Sequence, residues 1–231
     1  MIRVDFVRHG ECLDDAFLRG HTPSELSELG VRQMQTVFSI LPKPDWVISS
    51  PAKRCVQPTK YDYEDPDVWS DFQERSFGIW DGLSYEAVRL LDPVGLKEYL
   101  KQPFTFNISK SETLGEFEFR IVSAFKKVLE YATTHALNRV LIVTHGGVMR
   151  VLLKSVLGLN NPALFQFEMG FSALMTLECF VIKPSDFLLN TESTAEHSDF
   201  EQEGGDKNLA CLSEYFIKLV ALTPCLLTEA T

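Results

Sequence analysis

Long apolar runs, paired cysteines and an excess of positive charge are all missing from this sequence of 231 residues. No apolar run approaches the roughly 18 residues that a membrane-spanning helix needs, and the N-terminus lacks the apolar stretch of a secretion signal. The five cysteines are scattered and never form a Cys-x-x-Cys pair, which argues against a disulfide framework and a zinc site. We therefore expect a cytoplasmic protein with no membrane association, no bound metal and no cofactor.

The charge balance also narrows the function. The chain carries 32 acidic and 22 basic side chains, a net charge of −10. A protein whose main role is to bind nucleic acid is normally basic, so we expect no nucleic-acid partner. A local basic pocket for a small anion remains compatible with this balance.

The negative charge is concentrated in the C-terminal fifth of the chain. Residues 184–231 hold nine acidic and two basic side chains. The sequence predicts a domain over residues 1–183, then an acidic linker and a C-terminal amphipathic helix over residues 184–231. The apolar stripe of that helix would contain Leu209, Leu212, Phe216, Leu219 and Val220.

Apolar segments of strand type alternate with segments of helical period along the first 183 residues. Strands are predicted over residues 2–7, 45–50, 139–144 and 171–182, and helices from Ser27, over 113–135 and over 148–157. Such alternation is typical of an α/β layered fold with a largely parallel sheet.

Two of the predicted strands end in the same kind of sequence. Arg8-His9-Gly10 follows the first strand and His145-Gly146-Gly147 follows the third. Parallel strands deliver their carboxyl ends to one edge of the sheet, where Arg54 should also lie after the strand that ends at Ser49-Ser50-Pro51. Guanidinium groups bind phosphate in a bidentate way, so two histidines and two arginines favour a phosphate site in which a neutral imidazole, that of His9, is the nucleophile.

Four motifs occur in an order that resembles the histidine phosphatase (phosphoglycerate mutase-like) superfamily. They are Arg8-His9-Gly10-Glu11, Ser49-Ser50-Pro51-Ala52-Lys53-Arg54, Glu74 before Phe77-Gly78-Ile79-Trp80-Asp81-Gly82, and Thr144-His145-Gly146-Gly147. The resemblance implies a three-layer α/β/α sandwich with a mostly parallel sheet.

The same resemblance implies a role for each catalytic residue. His9 would become a phosphohistidine, and Arg8, Arg54 and His145 would hold the phosphoryl oxygens together with Gly146. Glu74 would protonate the leaving oxygen and later activate water, with no metal required. Glu86 is a weaker alternative for the acid.

Within the superfamily, the chain is similar to the α-ribazole-5′-phosphate phosphatases of cobalamin synthesis. The Phe77–Gly82 segment and the short span between Glu74 and His145 carry this likeness. Gly20-His21-Thr22 adds to it, so Gly20 and His21 are candidate substrate contacts. Five residues depart from the usual pattern on the presumed substrate side: Cys12, Leu13, Asp14, Pro23 and Glu25. The predicted partner is a small phosphorylated metabolite and the protein a monomer or homodimer.

Three alternatives remain open at this stage. The chain could be a phosphoglycerate mutase or a sugar (bis)phosphatase, or it could be a catalytically silent phosphate-binding or scaffold protein.

Overall fold

A computed structural model describes residues 1–14, 16–182 and 212–223. The strands are β1 (Ile2–Arg8), β2 (Trp46–Ser49), β3 (Asp67–Val68), β4 (Arg139–Thr144), β5 (Leu174–Val181) and β6 (Tyr215–Thr223). The helices are α1 (Glu28–Ile40), α2 (Lys53–Asp62), α3 (Tyr85–Leu91), α4 (Pro93–Lys101), α5 (Leu114–Thr134) and α6 (Gly146–Leu157). Short 3₁₀ turns cover Ser70–Phe72, Gly78–Trp80 and Asn161–Phe165.

The strands form one mixed sheet in the order β3-β2-β4-β1-β5-β6. The four strands β1 to β4 run parallel to one another, whereas β5 pairs antiparallel with both β1 and β6. The register of β1 on β4 sets Arg8 opposite Thr144, so the segments that follow these two strands leave the sheet side by side. The predicted α/β/α sandwich with a mostly parallel sheet is confirmed.

Both faces of the central strands are buried under helices. On one face, Phe125 of α5 and Leu152 of α6 pack with Val4 and Phe6 in the main core. On the other face, side chains of α1 pack against Val7 and its neighbours on β4. Coverage of both faces explains why β4 is an unbroken apolar run in the sequence.

The ends of three helices carry capping residues, of which Ser27 was predicted from the sequence. The Ser27 hydroxyl accepts a hydrogen bond from Gly30 N at 3.0 Å and caps α1. Thr113 and Glu116 form a reciprocal capping box at the start of α5. Gly158 closes α6 with a φ of 63°, in the left-handed region that glycine enters without steric cost.

The prediction of a C-terminal helix is wrong for the part of that segment that the structure describes. Residues 215–223 form strand β6 and pair along the whole length of β5. Tyr215, Ile217 and Leu219 alternate toward the core, a period of two that outweighs the helical spacing because β5 offers an open edge for backbone hydrogen bonds. The predicted linker and Leu209 lie outside the described residues, and the domain division at residue 183 stays a prediction.

Two features of the described ranges bear on the cellular setting. Cys12, Cys55 and Cys179 are buried and free. No helix there combines the length and the apolar content needed to cross a membrane.

Candidate active site

The two parallel strands β1 and β4 bring the predicted histidines together. His9 follows β1 and His145 follows β4, and their ring centroids lie 5.3 Å apart although 136 positions separate them in the sequence. His9 is 3% exposed and His145 is fully buried. The predicted convergence of the two imidazoles at one edge of the sheet is therefore what the structure contains.

The hydrogen bond of His9 determines which ring nitrogen can attack. Nδ1 of His9 lies 2.8 Å from the carbonyl oxygen of Gly10. A carbonyl oxygen only accepts, so we assign the proton to Nδ1, which leaves a lone pair on Nε2. Burial, with the charges of Arg8 and Arg54, holds the pKa of His9 well below its usual value. His9 is thus neutral at physiological pH, with Nε2 free to act as a nucleophile.

The second histidine is oriented by Arg54 and by the end of β2. Nη2 of Arg54 lies 3.3 Å from His145 Nδ1, and a guanidinium only donates, so Nδ1 is the acceptor. His145 Nε2 then donates to the Ser50 hydroxyl at 2.8 Å. Burial, followed by the charge of Arg54, lowers the pKa of His145 well below its usual value.

Both predicted arginines have a buried Nε that no described residue accepts from. Arg54 is fully buried and donates to the carbonyls of Arg19, Gly20 and Thr22, and Arg8 donates to the carbonyl of Met169. Within the described ranges, Nε of both guanidinium groups is buried and has no hydrogen-bond partner. A buried unpaired donor is costly, and an anionic oxygen would satisfy both groups.

Arg8 stays charged despite its burial. Desolvation lowers its pKa to about 10, while the Glu74 carboxylate opposes this shift. The guanidinium of Arg8 also lies 4.4 Å from the centroid of the Phe171 ring, which holds it against the end of the sheet.

Glu74 lies in the loop between the turns Ser70–Phe72 and Gly78–Trp80. Its carboxylate accepts hydrogen bonds from the backbone N–H groups of Arg75 and Gly147, both at 2.9 Å. The bond to Gly147 ties the carboxylate to the first turn of α6, directly after His145. Glu74 lines one cavity with Arg8 and His9.

Glu86, the alternative acid, is excluded from this site by its position. It lies exposed on α3 and pairs with Arg89 at 2.5 Å. It does not line the cavity.

The three remaining predicted contacts differ in their positions. Gly146 begins α6, and a Cβ there would lie 3.3 Å from Arg8 Nε, so its backbone borders the arginine. Gly20 has no room for a Cβ, which would meet Asp81 Oδ2 at 2.3 Å. His21 is exposed and its Nε2 donates to the carbonyl of Glu74 at 3.0 Å. Gly20 and His21 therefore brace the site and do not line its cavity.

The cavity has a volume of about 250 Å³ and a predominantly apolar wall. The charged and titratable side chains in that wall are His9 and Glu74 with four arginines, Arg8, Arg19, Arg75 and Arg150. Aromatic side chains provide much of the remaining wall: Phe17, Phe77, Tyr99, Phe104, Phe117 and Phe165. This local excess of positive charge in a chain of net charge −10 suits an anionic group joined to an apolar or aromatic body.

Arg150 and Asp81 are among the residues of the site that were not predicted from the sequence. Arg150, one turn into α6, lines the cavity, and its buried Nε has no hydrogen-bond partner in the described part of the chain. Asp81 accepts hydrogen bonds from the loop that contains Gly20 and His21. Its only sequence signal was its position in the Gly78–Gly82 segment, to which no role was attached.

No group of three or more His, Cys, Asp or Glu side chains that could hold a metal ion occurs in residues 1–14, 16–182 and 212–223.

Comparison with known proteins was made on sequence and on structure. The family model of the histidine phosphatase superfamily (branch 1) matches residues 4–189. A broad-specificity phosphatase of Saccharomyces cerevisiae is 22% identical over 211 residues, covering 85% of this chain and 87% of that protein.

Two crystal structures illustrate the similarity of fold. A putative α-ribazole-5′-P phosphatase of Escherichia coli superimposes with a TM-score of 0.68 at 20% identity, covering 76% of this chain and 89% of that one. A phosphoserine phosphatase of Entamoeba histolytica, in complex with 3-phosphoglyceric acid, gives a TM-score of 0.64 at 20% identity, with coverages of 77% and 91%.

Proposed function

The chain belongs to the histidine phosphatase superfamily and is a phosphatase, and from this premise we propose that it hydrolyses phosphomonoesters through a phosphohistidine at His9. One observation carries the proposal: the hydrogen bond from Nδ1 of His9 to Gly10 leaves a neutral Nε2 beside the unsatisfied N–H groups of Arg8 and Arg54. A neutral nucleophile next to fixed positive charge is the arrangement that phosphoryl transfer requires.

In the first step, Nε2 of His9 attacks phosphorus, and the bond from phosphorus to the ester oxygen breaks. Glu74, in its carboxylic acid form, donates a proton to the departing alcohol oxygen. Arg8, Arg54 and the backbone at Gly146 hold the phosphoryl oxygens and neutralise the charge that spreads over them. His145 orients Arg54 in this step, since its Nδ1 accepts a hydrogen bond from Nη2 of Arg54 while its Nε2 donates to Ser50.

In the second step, water attacks phosphorus and the nitrogen–phosphorus bond breaks. The Glu74 carboxylate accepts a proton from the attacking water, and His9 is regenerated as the neutral imidazole with inorganic phosphate as product. The two steps return Glu74 to the protonated form that the next cycle needs.

As the substrate we propose α-ribazole-5′-phosphate, which would assign the protein to cobalamin synthesis. The aromatic wall of the cavity supports an aromatic body on the leaving alcohol, since rings pack well against Phe17, Phe77 and Phe165. The similarity to the fold of the Escherichia coli protein adds support.

A second candidate is favoured by Arg150. Its buried, unpartnered Nε lines the same cavity and suits a second acidic group on the substrate, as in a phosphoglycerate or a sugar bisphosphate. This arrangement keeps a phosphoglycerate mutase or a sugar bisphosphatase as the alternative enzyme.

The free thiols of Cys12, Cys55 and Cys179 support a reducing, cytoplasmic setting. A monomer or homodimer that acts on a small phosphorylated metabolite remains the proposed working form.

The test is phosphate release from a panel containing α-ribazole-5′-phosphate, phosphoserine, phosphoglycerates and sugar phosphates, measured with EDTA and beside the His9→Ala variant. We expect EDTA-resistant release that depends on His9, with α-ribazole-5′-phosphate turned over at the highest kcat/KM. Isomerisation of 3-phosphoglycerate without release would identify a mutase. Phosphate binding without turnover of any ester would identify a silent binding protein and refute the proposal.

A further inference from the structure

We propose that Asp81 is a positioning residue for phosphate binding, which sets the direction of the Arg54 guanidinium through the loop of residues 19–22. The inference rests on the proposed phosphate site and extends it to a carboxylate that does not line the cavity. Asp81 lies at the end of the turn Gly78–Trp80, 27 positions beyond Arg54 in the sequence.

The carboxylate of Asp81 accepts hydrogen bonds from the N–H groups of this loop. Oδ1 accepts from Gly20 N at 3.2 Å, from Thr22 N at 3.1 Å and from the Thr22 hydroxyl at 2.7 Å. Oδ2 accepts from His21 N at 2.8 Å and from Phe77 N at 3.2 Å. Burial acts to raise the pKa of Asp81, but these hydrogen bonds hold it below its ordinary value. Asp81 is therefore an anion at neutral pH.

Arg54 holds the same loop from its acceptor side. Nη1 donates to the carbonyl of Thr22 at 2.9 Å, and Nη2 donates to the carbonyls of Arg19 at 3.1 Å and Gly20 at 2.6 Å. The loop thus lies between an anion that binds its N–H groups and a cation that binds its carbonyls. The Asp81 carboxylate and the Arg54 guanidinium therefore hold the loop backbone together, and each depends on the loop position that the other one stabilises.

This arrangement determines what remains of Arg54 for a ligand. Nη1 and Nη2 each donate to the loop, and Nη2 also to His145, whereas the buried Nε has no partner among the described residues and can donate to a phosphoryl oxygen. The direction of that N–H depends on the position of the loop carbonyls, and Asp81 holds those. The loop also reaches the acid, because His21 donates to the carbonyl of Glu74.

The loop has little freedom to settle elsewhere. A Cβ at Gly20 would lie 2.3 Å from Asp81 Oδ2 and 2.4 Å from the carbonyl oxygen of Arg75, so the backbone is held against both. In Asp81→Asn, one oxygen becomes an NH₂ group that faces at least two N–H donors. The loop must then shift, and a displacement of about 1 Å in a group that positions the substrate can lower the reaction rate about 100-fold.

The experiment measures the dissociation constant of inorganic phosphate by calorimetry, together with kcat, KM and the melting temperature, for wild type, Asp81→Asn and Asp92→Asn. Asp92 is the matched control because its carboxylate also accepts a backbone N–H, that of Gly95 at 2.8 Å, but caps α4. We expect Asp81→Asn to bind phosphate about 10- to 100-fold more weakly, with KM raised more than kcat is lowered. Asp92→Asn should bind phosphate as wild type does.

Wild-type phosphate affinity in folded Asp81→Asn would overturn the inference, as would an equal loss in Asp92→Asn. If Asp81→Asn does not fold, Gly20→Ala gives the same test, since it displaces the loop while keeping the carboxylate. An unchanged phosphate affinity in folded Gly20→Ala would likewise overturn the inference. Failure of the wild type to bind phosphate would instead refute the proposed function.

Discussion

Replacing Gly147 by alanine tests whether Glu74 transfers the proton. A Cβ at Gly147 would lie 2.2 Å from Glu74 Oε1 and 2.9 Å from Oε2, so the carboxylate must move by about 1 Å to reach ordinary contact. The move breaks its 2.9 Å hydrogen bond from Gly147 N. A misplacement of this size lowers the reaction rate about 100-fold. That loss lies within the rate enhancement of about 100- to 10,000-fold that proton transfer by a side chain contributes.

We therefore expect kcat to fall by about 100-fold or more in Gly147→Ala, equivalent to about 2.7 kcal/mol of transition-state stabilisation. KM should change little, because Arg8 and Arg54, which we propose to bind the phosphate, keep their contacts. The assay is steady-state kcat and KM for a phosphomonoester with an alkyl leaving group, whose departure needs a proton.

The matched control is Gly115→Ala. Gly115 is the second residue of α5, as Gly147 is of α6. Among the described residues, no atom beyond the adjoining helix backbone lies within 4 Å of the position that a methyl group would take there, so alanine fits without displacement. We expect wild-type kcat and a stability gain of at most about 1 kcal/mol, because alanine is the better helix former. Wild-type kcat in a folded Gly147→Ala would refute the role of Glu74, and a comparable loss in Gly115→Ala would refute the reasoning from sterics.

Two further predictions concern stability. His9 and His145 have folded-state pKa values below the ordinary 6.5, so the unfolded chain takes up protons first as the pH falls. The free energy of unfolding should then decrease below pH 6.5 by up to about 2.7 kcal/mol per pH unit. A free energy of unfolding that stays constant in urea titrations from pH 7 to pH 5 would contradict neutral histidines. A chain ending at Glu214 loses the core contacts of β6 and should be about 3 kcal/mol or more less stable than a chain ending at Thr223. Equal melting temperatures of the two chains would show that β6 contributes nothing.

The parts of the site that follow strand ends could be predicted from the sequence. His9 and His145 each stand between a buried apolar run and glycine, and the rule that parallel strands end at one edge brings them together. Arg54 could be predicted for the same reason, because Ser49-Ser50-Pro51 marks the end of β2 and the start of a helix.

The supporting residues could not be predicted in the same way, because their roles depend on loops that meet only in the folded chain. Asp81 binds backbone groups about 60 positions away, and no local pattern records that contact. Arg150 faces the cavity only because of how α6 packs, and a basic residue on a helix is usually exposed to solvent.

The error at the C-terminus has a different origin. Residues 215–223 contain apolar side chains at both helical and alternating spacings, so periodicity alone could not decide between helix and strand. The open edge of β5 decides it, and that edge exists only once β5 has paired antiparallel with β1.

The central claim is the covalent intermediate on His9, and trapping it is the most direct test. Wild type, Glu74→Gln and Glu86→Gln would be mixed with p-nitrophenyl phosphate labelled in the phosphoryl group and quenched in alkali, which preserves phosphohistidine. The nitrophenolate leaves without a proton, so Glu74→Gln should still form the intermediate but hydrolyse it slowly. We expect acid-labile label on the peptide that contains His9, in larger amount in Glu74→Gln than in wild type or Glu86→Gln. Turnover by Glu74→Gln without label on His9 would contradict the account.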